Sequence, residues 1–281
     1  MIREIPASTI EDAVCSLFLQ ANFVIDRDIA RAVQERAQSE DPGPARASLE
    51  QIAQSYDIAA RESIAICQDT GLAVLFAQVG QDVHIDGDFT QAVNQGVRRA
   101  YDEGYLRASV VDDPLFDRTN TRDNTPAVIH TELVPGDRLT LIAVPKGFGS
   151  ENCSRAKMFP PAASLKDIRD FVVETVRLAG PNTCPPSILG VGIGGSLEKA
   201  ALLAKRSLAR PLNEAHPDPR YAQLEREWLD AINDLGIGPA GLGGRTTALA
   251  VHIGSWPTHI ASIPVVVNLC CHAARHARCV L

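Results

Sequence analysis

The sequence predicts an α+β fold in which a helical N-terminal segment packs with a mixed β-sheet. Apolar residues recur at helical spacing through the first 65 residues. Beyond them, short segments that alternate apolar and polar residues, or are wholly apolar, lie between further helical patterns. No repeat or low-complexity linker interrupts this mixture, which favours one intertwined domain over residues 1–281.

The N-terminal part predicts three helices, then a strand over residues 71–79 and a helix over residues 88–105. Thr9 and Asp26 are residue types that cap helix N-termini, and residues 41–44 (DPGP) separate the second helix from the third. Residues 106–126 are polar and irregular. A loop of this length in a compact domain is more often functional than idle.

The remaining elements follow from the same patterns. Two alternating segments around a Pro-Gly-Asp turn predict a β-hairpin. Its strands are residues 127–134 and 138–144. Further helices are predicted over residues 165–178, 196–208 and 219–235, and further strands over residues 187–191, 247–253 and 260–267.

Composition and charge exclude several classes of protein. The net charge of −7 argues against the broad basic surface of a nucleic-acid binder. The first residues lack the apolar core of a signal peptide, and no run approaches the roughly 20 apolar residues of a membrane span. Seven irregularly spaced cysteines fit a reducing compartment better than a disulfide framework. We therefore expect a cytoplasmic protein that binds neither nucleic acid nor membranes.

Three distant cysteine-containing stretches are the main functional signal. They are residues 66–71 (ICQDTG), 182–186 (NTCPP) and 268–275 (NLCCHAAR). Metal sites within one short loop use closely spaced cysteines, so these stretches need a folded domain to gather them. Three thiolates on a four-iron cluster leave one iron free to act as a Lewis acid in a hydration. In the third stretch, residue chemistry alone leaves Cys270 and Cys271 equal as ligands.

Other polar residues have both a functional and a structural interpretation. Asp69 is suited to acid–base chemistry near a thiolate-bound metal, or to capping the turn that follows it. Arg107 opens the long loop and suits a substrate carboxylate, although loop arginines are more often solvated. His259 suits a proton shuttle, but such histidines usually serve packing. Residues 149–152 (GSEN) offer backbone amides to an anion or form a plain polar turn.

Residues 190–195 (GVGIGG) match the glycine pattern of a dinucleotide-binding turn, since an apolar strand precedes them and a helix follows. An NAD-binding module is therefore an alternative. Its second strand, with an acidic residue about twenty positions on, is missing. The glycines also suit close backbone packing beside a bulky cofactor.

Together these stretches resemble the class I, iron–sulfur-dependent fumarate hydratase family, specifically its α subunit or N-terminal domain. The related L-tartrate dehydratase α subunit shares the cysteine stretches but is less similar over residues 149–158. Besides the cysteine stretches and GVGIGG, the similarity includes residues 106–111 (LRASVV), 124–130 (NTPAVIH), 149–152 (GSEN) and 241–247 (GLGGRTT).

The resemblance implies a [4Fe-4S] cluster on Cys67, Cys184 and Cys271, and reversible hydration of fumarate to (S)-malate. Cys271 is preferred because the family's ligand directly precedes the stretch seen here as residues 272–275. Asp69 and His259 are implied to handle protons. The implied substrate-site residues are Gln68, Asp69, Arg107, Gly149, Asn152 and Lys157.

The resemblance also implies a partner. The family's swivelling C-terminal domain is missing after residue 281, so we expect a separate β subunit and a dimer of αβ units. Fumarate is the first expected substrate, with tartrate and mesaconate (methyl-substituted fumarate) as alternatives. A non-enzymatic iron–sulfur sensor or scaffold, or a zinc hydrolase on three thiolates, is the alternative of another class.

Overall fold

The computed structural model describes residues 2–281. Its helices are α1 (Ala7–Phe23), α2 (Arg27–Ser39), α3 (Pro44–Glu62), α4 (Phe89–Glu103), α5 (Phe148–Glu151), α6 (Leu165–Ala179), α7 (Leu197–Ser207) and α8 (Pro219–Asn233). Its strands are β1 (Arg3–Pro6), β2 (Leu72–Gly80), β3 (Val83–Asp86), β4 (Val128–Val134), β5 (Leu139–Lys146), β6 (Arg155–Phe159), β7 (Ser187–Gly194), β8 (Ala248–Trp256), β9 (Ile263–Cys270) and β10 (Ala277–Val280). The predicted α+β class is confirmed, and every predicted helix and strand is present within a few residues.

The chain divides into two compact units, each assembled from separated stretches. Unit 1 contains the described residues up to Asp26, Tyr56–Phe148 and Arg275–Leu281. Unit 2 contains Arg27–Ser55 and Gly149–Ala274. A single domain over residues 1–281 stays a prediction.

Unit 1 packs α1 and α4 together, and α1 also lies against β5 of a four-stranded sheet. Val14 and Phe18 of α1 join Val97 of α4, Leu75 of β2 and Leu141 of β5 in one buried apolar cluster. Helix α1 begins at Ala7 without a side-chain cap, so the expectation that Thr9 caps it is wrong. Thr9 lies inside the helix.

The predicted hairpin between β4 and β5 is also wrong, although both strands exist. The strand order is β10-β5-β2-β4, so β2 lies between the two and pairs antiparallel with β5 and parallel with β4. The Pro-Gly-Asp turn joins strands that are not neighbours. Inserting β2 buries Leu75, and its near-continuous apolar sequence fits a central strand.

Unit 2 is a four-stranded sheet of order β6-β9-β7-β8 with helices on both faces. Leu189 and Val191 of β7 pack in the cluster that contains α6 and α8 residues. The alternate residues of β7, Gly190 and Gly192, face α7. A capping box between Ser164 and Asp167 starts α6, which accounts for its predicted boundary.

The glycine stretch 190–195 serves this packing. A Cβ built on Gly190 would lie 1.9 Å from the carbonyl oxygen of Ala204, and one on Gly192 would lie 1.9 Å from that of Ala200. Both glycines lie inside β7 and not in a turn before the helix. They bring α7 against the sheet, so the structure does not use them as the dinucleotide pattern requires.

Among the described residues, none of the helices combines the length and the apolar content needed to cross a membrane.

Candidate active site

In unit 1, the turn before β2 holds Asp69 in a fixed orientation. The Gly71 N–H donates to its Oδ1 at 3.0 Å, and the Phe148 N–H donates to its Oδ2 at 2.8 Å. At the start of the turn, the Ile66 N–H donates to the carbonyl oxygen of Asn22 at 2.9 Å. The turn-capping role expected for Asp69 is therefore present, and each carboxylate oxygen retains a lone pair for further chemistry.

Cys67 and Gln68 precede Asp69 in the same turn. Cys67 is partly exposed and its Sγ lies 3.4 Å from Oε1 of Gln68, whose side chain is exposed. Both side chains are therefore accessible from the surface of unit 1.

Hydrogen bonds join this turn to the start of the long polar loop. The Thr70 hydroxyl donates to the carbonyl oxygen of Arg107 at 2.8 Å. The Tyr101 hydroxyl lies 2.8 Å from the carbonyl oxygens of both Thr70 and Gly71. Burial raises the pKa of Tyr101 far above its ordinary value, so its hydroxyl stays a donor. The structure thus brings the backbone of Arg107 beside the Asp69 turn. The side chain of Arg107 is exposed.

Asn124 closes the loop from its other end. Its side chain is fully buried, its Oδ1 accepts from the Ser109 N–H at 2.8 Å, and its Nδ2 donates to the Gly71 carbonyl oxygen at 3.1 Å. The long loop is therefore anchored at both ends to the turn that carries Asp69.

Two buried cations adjoin the same turn. Arg275 is 3% exposed, and its Nη2 donates to the Asp69 carbonyl oxygen at 2.7 Å. Lys146 is 1% exposed, and its Nζ donates to the Gly147 carbonyl oxygen at 3.0 Å. Tyr101, Asn124, Lys146 and Arg275 were not predicted from the sequence as site residues. Asn124 and Arg275 lie within stretches that carry the family resemblance, whereas Tyr101 and Lys146 gave no signal.

Unit 2 brings Cys184 and Cys271 into neighbouring segments. Cys184 is exposed and ends the 3₁₀ helix Gly180–Thr183 in the left-handed conformation, with φ 50° and ψ 63°. The His272 N–H donates to the carbonyl oxygen of Cys184 at 3.4 Å. Cys271 directly precedes His272, so the two candidate ligands lie at one end of the sheet.

The structure distinguishes Cys271 from its neighbour. Cys270 pairs with Ile188 at the end of β9 and is 7% exposed, whereas Cys271 follows the strand and is partly exposed. None of the seven cysteines forms a disulfide. Among the described residues, no group of three or more His, Cys, Asp or Glu side chains is arranged to hold a metal ion.

The GSEN turn lies beside the cysteine pair. A Cβ built on Gly149 would lie 3.8 Å from the carbonyl oxygen of Asn182, two residues before Cys184. Glu151 pairs with Lys205, and its Oε2 accepts from Nδ2 of Asn268 at 2.8 Å. These two roles were not predicted from the sequence, although Glu151 and Asn268 both lie in stretches that carry the resemblance. Asn152 is exposed.

Lys157 and His259 are not brought to the cysteine pair within unit 2. Lys157 pairs with Val265, six residues or roughly 20 Å along β9 from Cys271, and its Nζ lies 4.4 Å from the ring centre of Phe159. His259 is exposed in the turn before β9 and its Nδ1 accepts from the Ala261 N–H at 3.1 Å. The eight-residue β9, roughly 25 Å long, separates that turn from Cys271.

An α+β chain with cysteine thiols in three separate segments, and an oriented carboxylate beside the first, has the features expected of the family identified by resemblance. The model of the fumarate hydratase (Fumerase) family matches residues 11–280. The chain belongs to this family, which places it among the hydro-lyases.

Individual relatives carry another hydro-lyase name. The chain is 37% identical over 274 residues to a Methanocaldococcus jannaschii protein named "Putative L(+)-tartrate dehydratase subunit alpha", covering 95% of this chain and 96% of that protein. It is 34% identical over 213 residues to the L(+)-tartrate dehydratase subunit alpha of Escherichia coli strain K12, covering 74% of this chain and 70% of the relative.

Proposed function

We propose that this chain is the α subunit of a hydro-lyase that interconverts fumarate and (S)-malate. It works with a separate β subunit and a [4Fe-4S] cluster on Cys67, Cys184 and Cys271. The family match over residues 11–280 carries the proposal. The partner subunit is supported by the names of the relatives, which are α subunits.

The chemistry of the three thiols fits an iron–sulfur cluster. All three lie outside disulfides and are at least partly accessible, whereas Cys15 and Cys270 are buried. Thiolates are the ligands that such clusters use. Cys184 is also held in a left-handed conformation that costs a non-glycine residue about 1 kcal/mol, a strain often found at functional sites.

Bound at these thiols, the cluster would supply a Lewis acid for adding or removing water at a dicarboxylate. The chain's own residues orient the substrate and handle protons. Asp69 has both oxygens fixed by backbone N–H groups and a lone pair left on each, as a proton-transfer residue requires. The exposed guanidinium of Arg107 suits a two-point hydrogen bond to a substrate carboxylate.

The remaining proposed residues differ in their support. Gln68 adjoins Cys67, and Gly149 lies beside the segment of Cys184, so local geometry supports both. Asn152 is exposed close to Gly149 in sequence. Lys157 and His259 are proposed from the family resemblance alone, because within unit 2 both lie far along β9 from Cys271.

L(+)-tartrate is the second candidate substrate, because the relatives described above are named tartrate dehydratases. Mesaconate is a third. All are four-carbon-chain dicarboxylates that gain or lose water, so the same Arg107 and Asp69 functions apply to each.

The test is anaerobic co-purification with the β subunit, followed by iron and acid-labile sulfide analysis and assays with fumarate, L(+)-tartrate and mesaconate. About four irons and four sulfides with fumarate preferred would support the proposal. Preference for tartrate would move the function to the second candidate. A cluster without activity on any of them would favour a sensor, and zinc without sulfide a hydrolase.

Cysteine variants test the ligand set separately. Cys184→Ser should lose the cluster and the activity, because a ligand is removed. The matched control is Cys279→Ser, which alters a partly buried thiol in β10 and should leave both unchanged. Full activity in Cys184→Ser would remove that residue from the ligands.

A further inference from the structure

Two peptide groups fix the position of Asp69, and a buried cation donates a hydrogen bond to the carbonyl oxygen of each. One is the Asp69–Thr70 peptide, whose carbonyl oxygen accepts from Arg275 Nη2 at 2.7 Å. The other is the Gly147–Phe148 peptide, whose carbonyl oxygen accepts from Lys146 Nζ at 3.0 Å. The N–H of this second peptide is the donor to Asp69 Oδ2.

The hydrogen bond from Lys146 makes the Phe148 N–H a stronger donor to Asp69. A hydrogen bond to a peptide carbonyl from a charged ammonium polarises that peptide, so its N–H becomes a stronger donor at the opposite end. Lys146 therefore acts on the Asp69 carboxylate through the Gly147–Phe148 peptide. Gly147 allows the close approach, since a Cβ built on it would lie 3.2 Å from Asp69 Oδ2 and 3.6 Å from Arg275 Nη2.

Arg275 is anchored on two sides. Its Nη1 donates to Oδ1 of Asn22 at 3.0 Å, and the Asn22 side chain is itself fixed because its Nδ2 donates to the Phe18 carbonyl oxygen at 2.9 Å. Both acceptors of Arg275 are neutral oxygens, and its Nε is buried without a hydrogen-bond partner in the described chain. Burying a cation whose hydrogen-bond acceptors are all neutral is costly.

We propose that Lys146 and Arg275 are positioning residues that hold the Asp69 carboxylate in its working orientation. Neither residue touches the substrate in this proposal. Arg275 fixes the backbone of Asp69, and Lys146 fixes and polarises the peptide that binds its carboxylate. The consequence for catalysis rests on the proposed function, but the consequence for the turn itself does not.

Amide hydrogen exchange in the full chain tests the positioning directly. In Arg275→Gln and Lys146→Gln, exchange at the Gly71 and Phe148 amides should accelerate about tenfold, because their acceptor Asp69 is no longer held. Amides of α6 should not change. Unchanged exchange at Gly71 and Phe148, or acceleration spread evenly over the chain, would overturn the proposal.

The matched control is Arg210→Gln in unit 2, which removes another largely buried arginine that pairs with Glu225. This variant should speed hydrogen exchange at the Ile253 amide, which donates to Glu225, and should leave exchange at the Gly71 amide unchanged. If Arg275→Gln does not fold, Arg275→Lys replaces it. Lysine keeps the charge but offers a single donor head in place of the two-nitrogen fork, so exchange should be intermediate.

Kinetics of the assembled enzyme test the catalytic consequence. With kcat normalised to acid-labile sulfide, both glutamine variants should lose about tenfold or more in kcat while KM stays within about threefold. A purely structural role would lower the yield of clusters but not kcat per cluster. If the wild-type chain shows no hydro-lyase activity, the proposed function fails, and the exchange experiment still decides the positioning role.

Discussion

Gly190 of β7 faces Ala204 of α7 so closely that a Cβ at Gly190 would lie 1.9 Å from the Ala204 carbonyl oxygen. No real Cβ comes this near to an oxygen, so helix and strand could both remain in place only with glycine here. This contact, with the equivalent one between Gly192 and Ala200, explains two of the glycines in residues 190–195 by packing.

Gly190→Ala should therefore destabilise the protein by about 3 kcal/mol or more, because the added carbon forces α7 away from the sheet. Urea unfolding followed by circular dichroism measures the loss. The control is Gly149→Ala, whose Cβ would meet Asn182 at an ordinary 3.8 Å and should cost less than about 1 kcal/mol. Equal losses in the two variants would contradict the packing argument.

Helix α6 should depend on its N-terminal serine. Ser164 accepts from the Asp167 N–H in a capping box, so Ser164→Ala should lower the free energy of unfolding by about 1 kcal/mol. Ser196 occupies the N-cap of α7 but makes no capping hydrogen bond, and Ser196→Ala should cost only a few tenths of that. Thermal unfolding of both variants gives the comparison, and a larger loss for Ser196→Ala would refute it.

In the cluster-free chain, the thiol of Cys15 should react slowly with alkylating reagents. Burial, with a smaller contribution from Glu103, raises the pKa of Cys15 to about 11. At pH 8 its thiolate fraction is then about a hundredfold below that of an unperturbed thiol, whereas Cys184 is exposed. Iodoacetamide labelling followed by mass spectrometry should modify Cys184 well before Cys15.

The raised pKa of Cys15 also makes the stability of the fold depend on pH. The folded state holds the Cys15 proton up to about pH 11, while the unfolded state releases it near the ordinary thiol pKa. Stability from this group is therefore present below pH 9 and falls between about pH 9 and 11. Cys15→Ala should flatten the plot of unfolding free energy against pH in this range. An unchanged slope would argue against the buried Cys15 thiol as the cause of the pH dependence.

Asp69→Asn tests the proposed proton-transfer role. The amide oxygen can still accept one backbone N–H, but the side chain cannot accept a proton, so kcat should fall about 10²- to 10⁴-fold with the fold and cluster retained. The assay uses the assembled αβ enzyme and each candidate substrate. Asp137→Asn, at an exposed turn, should keep wild-type rates. Activity near wild type in Asp69→Asn would exclude the carboxylate from proton transfer.

Local sequence determined the helices and the presence of the strands. Helix α6 has a capping box and an apolar face, and both signals depend only on residues within a few positions of one another. The stretches around Cys67, Cys184 and Cys271 also carried the family resemblance, which the family match then confirmed. These features are visible in sequence because each is contained in one short segment.

Tertiary structure alone decided how distant segments meet. The pairing of β2 between β4 and β5, and the packing of Gly190 on α7, depend on partners far away in sequence. The same holds for the placement of His259 a full strand away from Cys271 and for Lys146 and Arg275 beside Asp69. The physical reason is that strand register, close backbone contact and burial of a charge are satisfied by whichever surfaces folding brings together, and no local pattern specifies them.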